Sequence, residues 1–168
     1  IYHEFASGKQ DIGAIRNCIK YIYDNASTPD KRIKYVNLFG DASYDYKDRL
    51  TNNTNFVPSY QNNSSLDILT TYTSDDFFGF LDDAEDINSG VIINTLDIGI
   101  GRVPAKNPEE AKNFVDKVEA YFNPSSLGPW RNSLTFIADD EDQNLHLQDA
   151  EVVTNTVTTV APVFDKQK

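Results

Sequence analysis

The sequence of 168 residues contains no methionine and a single cysteine, Cys18, and basic residues are scarce. One cysteine cannot form a disulfide within the chain, so no disulfide framework indicates a redox compartment. There are 26 Asp and Glu residues against 15 Lys and Arg, which gives a net charge of -11. Proteins that bind a phosphate backbone present a basic surface, and we therefore expect no nucleic acid partner.

Long apolar runs are also absent from the sequence. No stretch approaches the roughly 20 apolar residues that cross a bilayer, and residues 1–20 do not have the pattern of a signal peptide. We therefore predict no membrane span in this segment. Because the sequence begins at Ile1 and has no methionine, we expect a segment excised from a longer protein.

What the sequence does contain is enough apolar surface for a folded core. Hydrophobic residues make up 39% of the chain and aromatic residues 12%. Both fractions are well above those of disordered proteins. In residues 12–24, isoleucines recur at three- and four-residue spacing after Asp11, a suitable N-cap. A second helix is predicted over residues 108–122, where Asn107 would be the N-cap and a glutamate follows at the third helical position. A weaker helical pattern covers residues 147–160.

Short apolar runs between these helices predict strands. They lie at residues 33–39, 70–81, 96–103 and 134–138, and a further strand begins at 163–164. Alternating helices and strands predict an α/β fold in which helices cover both faces of a mostly parallel sheet. We expect one domain over residues 1–168.

Residues 40–69 are rich in Asn, Ser, Asp and Tyr and form a predicted long surface loop. This loop contains Tyr44, Tyr46 and Tyr60, which can provide rigid contact area for a polypeptide partner. The alternative is that the loop packs over the edge of the sheet.

Four segments of the chain carry a family resemblance when they are taken in order. They read FGDASYDYK at 39–47, VPSY at 57–60, SDDFFG at 74–79 and DIGIGRVP at 97–104. Together they resemble the gingipain-type (C25) family of cysteine peptidases, most closely its PorU-type branch, the sortases of the type IX secretion system. The similarity extends over roughly residues 4–140, through the helix predicted at 108–122.

The resemblance implies a caspase-like catalytic region with two α/β lobes, of which this chain is the N-terminal one. The catalytic cysteine and histidine would then lie in the second lobe, beyond residue 168. The parent would be a hydrolase exported to the periplasm or the outer-membrane surface of a Bacteroidetes cell. Its polypeptide substrates would be secreted proteins whose C-terminal signals it processes.

No residue of this chain is expected to be catalytic. Cys18 lies within a predicted helix without a neighbouring base, whereas a nucleophilic thiolate requires one. His3 lies at the terminus, and His146 is expected on the surface or at a helix start. The isolated segment is therefore predicted to be inactive.

Acidic residues are the main candidates for binding sites. In Arg-specific gingipains, the segment that corresponds to Ser74 and Asp75 provides a carboxylate for a basic P1 side chain, so Asp75 and Asp76 are predicted to bind substrate. The PorU-type branch is not a group of general Arg proteases, and an Arg preference does not follow. Turn capping or calcium binding is the alternative role of Asp75. Arg102, at a strand end, is expected to pair with a neighbouring carboxylate.

Calcium is the one cofactor that the sequence leaves open, as a structural ion. Hard oxygen ligands lie close together at Asp82, Asp86 and Asn88, and again at Asp139 and Asp140. A solvated acidic turn is the alternative for either group. A second function therefore remains open, that of a noncatalytic, calcium-stabilised interaction domain that retains the peptidase fold.

Overall fold

The structure is a computed structural model and describes residues 1–83, 85, 87 and 95–167. The helices are α1 (Tyr2–Phe5), α2 (Ile12–Asp24), α3 (Pro108–Phe122) and α4 (Glu141–Val160). The strands are β1 (Tyr35–Phe39), β2 (Tyr60–Gln61), β3 (Thr73–Ser74), β4 (Gly99–Val103), β5 (Ser133–Thr135) and β6 (Asp165–Gln167). Short 3-10 turns lie at Pro29–Lys31, Asp76–Phe78, Pro124–Ser126 and Pro129–Asn132. The chain divides into two compact units, Ile1–Asp116 and Lys117–Lys168.

The helices predicted at 12–24 and 108–122 are confirmed, and their first turns are capped by the expected residues. The Asp11 carboxylate accepts the Gly13 N–H over 2.6 Å at the start of α2. At the start of α3, the side-chain oxygen of Asn107 accepts the Glu110 N–H over 2.9 Å, while the Glu110 carboxylate accepts the Lys106 N–H. These bonds satisfy N–H groups that have no partner within the helix.

The α/β prediction requires parallel strands, and two of the three strand pairs in the described part of the chain are parallel. Strand β1 pairs with β4 in parallel, in a register that runs from Tyr35 opposite Gly99 to Phe39 opposite Val103. Strands β5 and β6 are also parallel, whereas β2 and β3 are antiparallel. The fold is α/β as predicted, and each sheet in the described part of the chain has two strands. Gly99 lies at a close contact, because a Cβ there would be 2.8 Å from the Tyr35 ring.

The core of the first unit brings together side chains from α2, β1 and the segments around β3 and β4. Its buried cluster consists of Ile15, Ile19, Leu38, Phe78, Leu81 and Ile98. Full burial of a side chain such as Phe78 or Leu81 stabilises the fold by roughly 1.5–3 kcal/mol. Ile22 was predicted on the same apolar stripe, but it lies in the last turn of α2 and is 49% exposed.

The segment predicted as a strand at 70–81 is mostly not a strand. Only Thr73 and Ser74 pair with β2, and a 3-10 turn follows them. The Asp75 carbonyl accepts the Phe78 N–H over 3.0 Å, which bends the chain and turns Phe78 into the core. Of the aromatic residues in this segment, Phe78 is fully buried, and Phe77 and Phe80 are half-buried.

The second unit contains α4 between two short parallel strands. Three residues near the start of α4 have left-handed φ and ψ angles: Asp142, Gln143 and Asn144. The regular right-handed part of α4 therefore begins after Asn144, close to the predicted residue 147. Hydroxyl groups of its threonines donate to carbonyl oxygens four residues earlier, as Thr154 does to Ala150. No helix in the described part of the chain is long and apolar enough to cross a membrane.

Candidate functional site

The backbone continues to pair just beyond the ends of β1 and β4. The Gly40 N–H donates to the Val103 carbonyl over 2.9 Å, and the Asp41 N–H donates to the Ala105 carbonyl over 3.1 Å. The Asp41 carbonyl in turn accepts the Val57 N–H over 3.0 Å. These bonds hold the long loop against the carboxyl end of the parallel strands, the edge at which open α/β sheets bind ligands.

Gly40 is required by the geometry at this edge. Its φ is +154°, and a Cβ on Gly40 would lie 2.7 Å from a methyl carbon of Val57. Side chains are disfavoured both by this backbone conformation and by the contact. The glycine therefore allows the two parts of the loop to approach closely.

Arg102, in β4, joins three segments of the site through its guanidinium group. Its Nε and Nη2 donate to the two carboxylate oxygens of Asp75, each over 2.7 Å. Its Nη1 donates to the carbonyls of Gly40 and Val57 over 2.8 and 2.7 Å. Its Nη2 also makes a longer hydrogen bond of 3.5 Å to the Pro58 carbonyl, so all five guanidinium donors have an acceptor. The expected pairing of Arg102 with a neighbouring carboxylate is confirmed.

The position of Asp75 is fixed by the structured backbone on either side of it as well as by Arg102. It follows β3 and precedes the turn that inserts Phe78 into the core. Next to it, the Phe77 ring stacks on Tyr60 of β2, with 5.1 Å between the centroids. Only 26% of the Asp75 side chain and 13% of the Arg102 side chain are exposed. The carboxylate therefore has a fixed position.

A cavity of about 300 Å³ opens beside this ion pair. Carboxylate and hydroxyl groups dominate its wall, and the residues that carry them are Asp41, Ser43, Tyr44, Ser59, Ser74 and Asp75. The Asp41 carboxylate accepts the Thr54 hydroxyl. Such a wall offers hydrogen-bond acceptors and hydroxyl groups that can either donate or accept, a set suited to a polypeptide backbone.

The two predicted substrate residues have different surroundings. Asp75 lines the cavity, whereas Asp76 is exposed and lies outside the lining. Substrate binding by either residue stays a prediction. Sequence reasoning did not select Asp41, Ser43 or Ser59 as site residues, although all three lie in the segments that carry the family resemblance.

A group of acidic residues that could hold a cation lies elsewhere in the first unit. Oxygen atoms of Asp82, Glu85 and Asp97 lie within 4.8 Å of one another. Carboxylates of this kind fit calcium by ligand type. Two of them also accept backbone N–H groups, Glu85 from Asp82 and Asp97 from Leu81. Asp97 was not predicted as a ligand, because it is distant in sequence and only the fold brings it near Asp82.

Cationic side chains from α2 already contact the same turn. Arg16 donates to the Phe80 and Asp82 carbonyls over 2.6 and 2.9 Å, and Lys20 donates to the Leu81 carbonyl over 2.7 Å. The hydrogen bond to Asp24 raises the pKa of Lys20, so this side chain keeps its charge at neutral pH. The carbonyls are thus occupied, and calcium, which takes six to eight oxygens, would depend on the carboxylates and water.

The other predicted calcium ligands are not part of this group. Asp86 and Asn88 lie outside the described residues. Asp139 and Asp140 are exposed just before α4 and join no metal-binding group in the described part of the chain. Calcium binding remains a prediction for both loops.

Cys18 and the histidines have no described catalytic arrangement. Cys18 is half-buried within α2, and the described residues show no hydrogen bond between it and a histidine. His146 is exposed on α4, where its Nε2 lies 3.4 Å from the Asp142 carboxylate. A nucleophilic thiol requires an adjacent base. The described residues therefore contain no activated Cys–His pair.

In open α/β sheets, the carboxyl end of the parallel strands, where this polar cavity lies, is the edge at which ligands commonly bind. The family model of peptidase family C25 matches residues 1–168, and the chain belongs to this family. The resemblance to gingipain-type cysteine peptidases is thus confirmed.

One solved structure that is similar to this chain is that of a much longer protein. The crystal structure of dimeric latent PorU from Porphyromonas gingivalis is similar to this chain, with a TM-score of 0.59 and 30% identity. The match covers 77% of this chain and 13% of the PorU chain, so the present chain spans a small part of that protein's length. A comparison with curated proteins finds no significant match.

We predict that the Arg102 side chain is a major source of stability in the first unit. Arg102→Leu would leave the Asp75 carboxylate and two carbonyls without their donor, at a cost of about 2–4 kcal/mol in the free energy of unfolding. Arg102→Lys keeps the charge but loses the two-pronged geometry and is expected to cost less, about 1–2 kcal/mol. Urea unfolding at 25 °C measures both values.

The matched control is Arg32→Leu. Arg32 is exposed and lies over the Tyr23 ring, so its loss should cost at most about 1 kcal/mol. Equal costs for Arg102→Leu and Arg32→Leu would contradict the structural role of the ion pair.

Proposed function

We propose that this chain forms one wall of the substrate-binding cleft of a cysteine peptidase, with the cavity beside Asp75 holding part of a polypeptide. The observation that carries the proposal is the position of Asp75, which Arg102 and the turn before Phe78 hold at the wall of a polar cavity. Membership of peptidase family C25 supports a polypeptide substrate.

The ion pair with Arg102 affects which substrate groups Asp75 can bind. Each carboxylate oxygen accepts one hydrogen bond from Arg102 and keeps a second acceptor site for substrate. Because the guanidinium compensates its charge, Asp75 is better suited to accept peptide N–H groups than to act as a lone anion for a basic P1 side chain. The proposal therefore does not include an Arg preference.

The nucleophile and the base would come from a second lobe outside these 168 residues. The absence of a Cys–His pair among the described residues and the similarity to a small part of PorU are consistent with this division. By the same similarity, we propose that the parent acts as a sortase on C-terminal signals of secreted proteins. It would be exported and work in the periplasm or at the outer-membrane surface.

A second candidate function is a noncatalytic, calcium-stabilised interaction domain. The grouping of Asp82, Glu85 and Asp97 favours it, since three carboxylates that lie this close are stabilised by a divalent cation. Calcium binding and peptidase function are compatible, so calcium alone does not decide between the two functions. The two functions are distinguished by whether Asp75 takes part in substrate binding.

Peptide binding by the cavity tests the proposal directly. The probe is an acetylated octapeptide amide with uncharged side chains, titrated into the chain and followed by calorimetry. Asp75→Asn removes a charge-assisted acceptor and should weaken binding at least about tenfold, or about 1.4 kcal/mol. In a longer protein that carries the catalytic pair, the same change should lower kcat/KM.

Two further variants keep this test decisive. Ser59→Ala removes a hydroxyl from the cavity without touching the ion pair and should weaken binding about two- to tenfold. Asp30→Asn, an exposed aspartate in the 3-10 turn after α2, should change nothing. Unchanged affinity in both Asp75→Asn and Ser59→Ala would reject the cavity as a peptide site.

The isolated chain is expected to hydrolyse no peptide, because the described residues show no hydrogen bond between Cys18 and a histidine. A fluorogenic peptide library incubated with the purified chain should give the same background rate for the native sequence and for Cys18→Ser. Hydrolysis that requires a reduced thiol and vanishes in Cys18→Ser would show that the chain carries its own nucleophile.

Calcium should raise the melting temperature through the turn that contains Asp82. An ion at ten times its dissociation constant stabilises the native state by about 1.4 kcal/mol, which shifts Tm by about 3–6 °C in a chain of this size. Asp82→Asn with Glu85→Gln should abolish the shift. The double variant Asp139→Asn with Asp140→Asn should still show the calcium-dependent shift in Tm. If this second double variant loses the shift and the first keeps it, the calcium site lies in the loop before α4.

A further inference from the structure

A second concave surface adjoins the cavity beside Asp75. Its volume is about 400 Å³, and it is formed by the first part of the long loop and by the chain that follows β2. We call it the loop depression and define it by six lining residues: Tyr44, Tyr46, Lys47, Arg49, Leu50 and Leu66. Tyr44 lines both concave surfaces, so the two are neighbours.

Lys47 and Arg49 give the loop depression two positive charges. Among the residues that the structure describes, neither side chain has a carboxylate within ion-pair distance. The Lys47 ammonium lies 5.3 Å from the centre of the Tyr46 ring, which offers a cation–π contact rather than a counter-ion. Both cations line this one concave surface, although the chain as a whole has a net charge of -11.

Asp45 also lines the loop depression, and its carboxylate is already engaged by the backbone. Asp45 accepts the N–H groups of Arg49 and Leu50 over 2.5 and 2.6 Å, and its carbonyl accepts the Asn53 side chain over 2.7 Å. These bonds close the turn that carries Lys47 and Arg49. The carboxylate thus fixes the backbone beneath the cations.

The remaining walls are positioned by hydrogen bonds between distant parts of the loop. The Tyr44 hydroxyl donates to the Ser65 carbonyl, and the Gln61 side chain donates to the Tyr44 carbonyl over 3.1 Å. Leu66 and Leu50 are 97% and 68% exposed at the rim. The loop depression thus combines cations, a tyrosine ring and exposed aliphatic groups.

We propose that the loop depression is a second substrate subsite that takes an acidic segment of the same polypeptide that enters the cavity beside Asp75. The proposal rests on the proposed function. An acidic segment is repelled by most of this chain, so a local pair of cations makes one position on the surface attractive and sets the register of the substrate. Carboxylates would contact Lys47 and Arg49, and apolar atoms would lie against Tyr46 and Leu66.

Two probes test the subsite. Both are acetylated decapeptide amides that share an uncharged stretch, and they differ in one tripeptide at an end, Glu-Tyr-Glu in one and Gln-Tyr-Gln in the other. At low salt, the Glu probe should bind about four- to 25-fold more tightly than the Gln probe, since each of the two exposed ion pairs contributes about two- to fivefold. Lys47→Ala with Arg49→Ala should abolish the difference, and Lys31→Ala should leave it.

The outcomes separate this proposal from the peptide cavity. The loop depression is not a subsite if the Glu probe binds no more tightly than the Gln probe, or if its tighter binding survives in the double variant. The cavity proposal still stands in that case, provided that the Gln probe binds and its binding depends on Asp75. A Glu advantage that survives Asp75→Asn and is lost in the double variant supports the subsite even if the cavity fails. Displacement of the Glu probe by equimolar inorganic phosphate would identify an unspecific anion patch and overturn the proposal, as would no binding of either probe.

Discussion

The Arg102 side chain is the contact on which the rest of this site depends. It comes from a parallel strand, and through Asp75 and two backbone carbonyls it joins the end of β1, the long loop and the turn after β3. None of these segments is long enough to be stable by its own backbone hydrogen bonds. A planar group with five donors can bind both oxygens of one carboxylate and still donate to backbone carbonyls, whereas an ammonium group has three donors and no such fork.

This arrangement explains how a loop of some thirty residues can offer a fixed surface. Entropy favours many conformations of such a loop, but its backbone is bound to β4 at one end, to Arg102 in the middle and to β3 at the other. Turns closed by Asp45 and Asp67 shape the parts between, and the hydrogen bond from the Leu69 N–H lowers the pKa of Asp67, which stabilises its charged form. The acidic residues of the loop are thus structural in large part.

The division of labour in this family member follows from the same geometry. The described residues supply a built wall, with a fixed carboxylate, hydroxyl groups and a neighbouring pair of cations, but no activated nucleophile. Under the proposed function, such a wall would contribute to catalysis by orienting the substrate, and orientation is a large part of the rate enhancement of many enzymes. Chemistry and recognition can therefore lie in separate parts of one peptidase.

Local sequence by itself determined helices α2 and α3 with their caps, the α/β class and the family. Asp11 and Asn107 act within one turn of their own helices, so their role is readable from spacing alone. The choice of Asp75 as the partner of Arg102 among several nearby aspartates was decided only by the tertiary structure, as was the meeting of Asp97 with Asp82. The turn at Phe78 was also decided there, because core burial outweighed the strand propensity of its aromatic residues. Contacts between residues far apart in sequence depend on how the chain packs, and no local pattern encodes them.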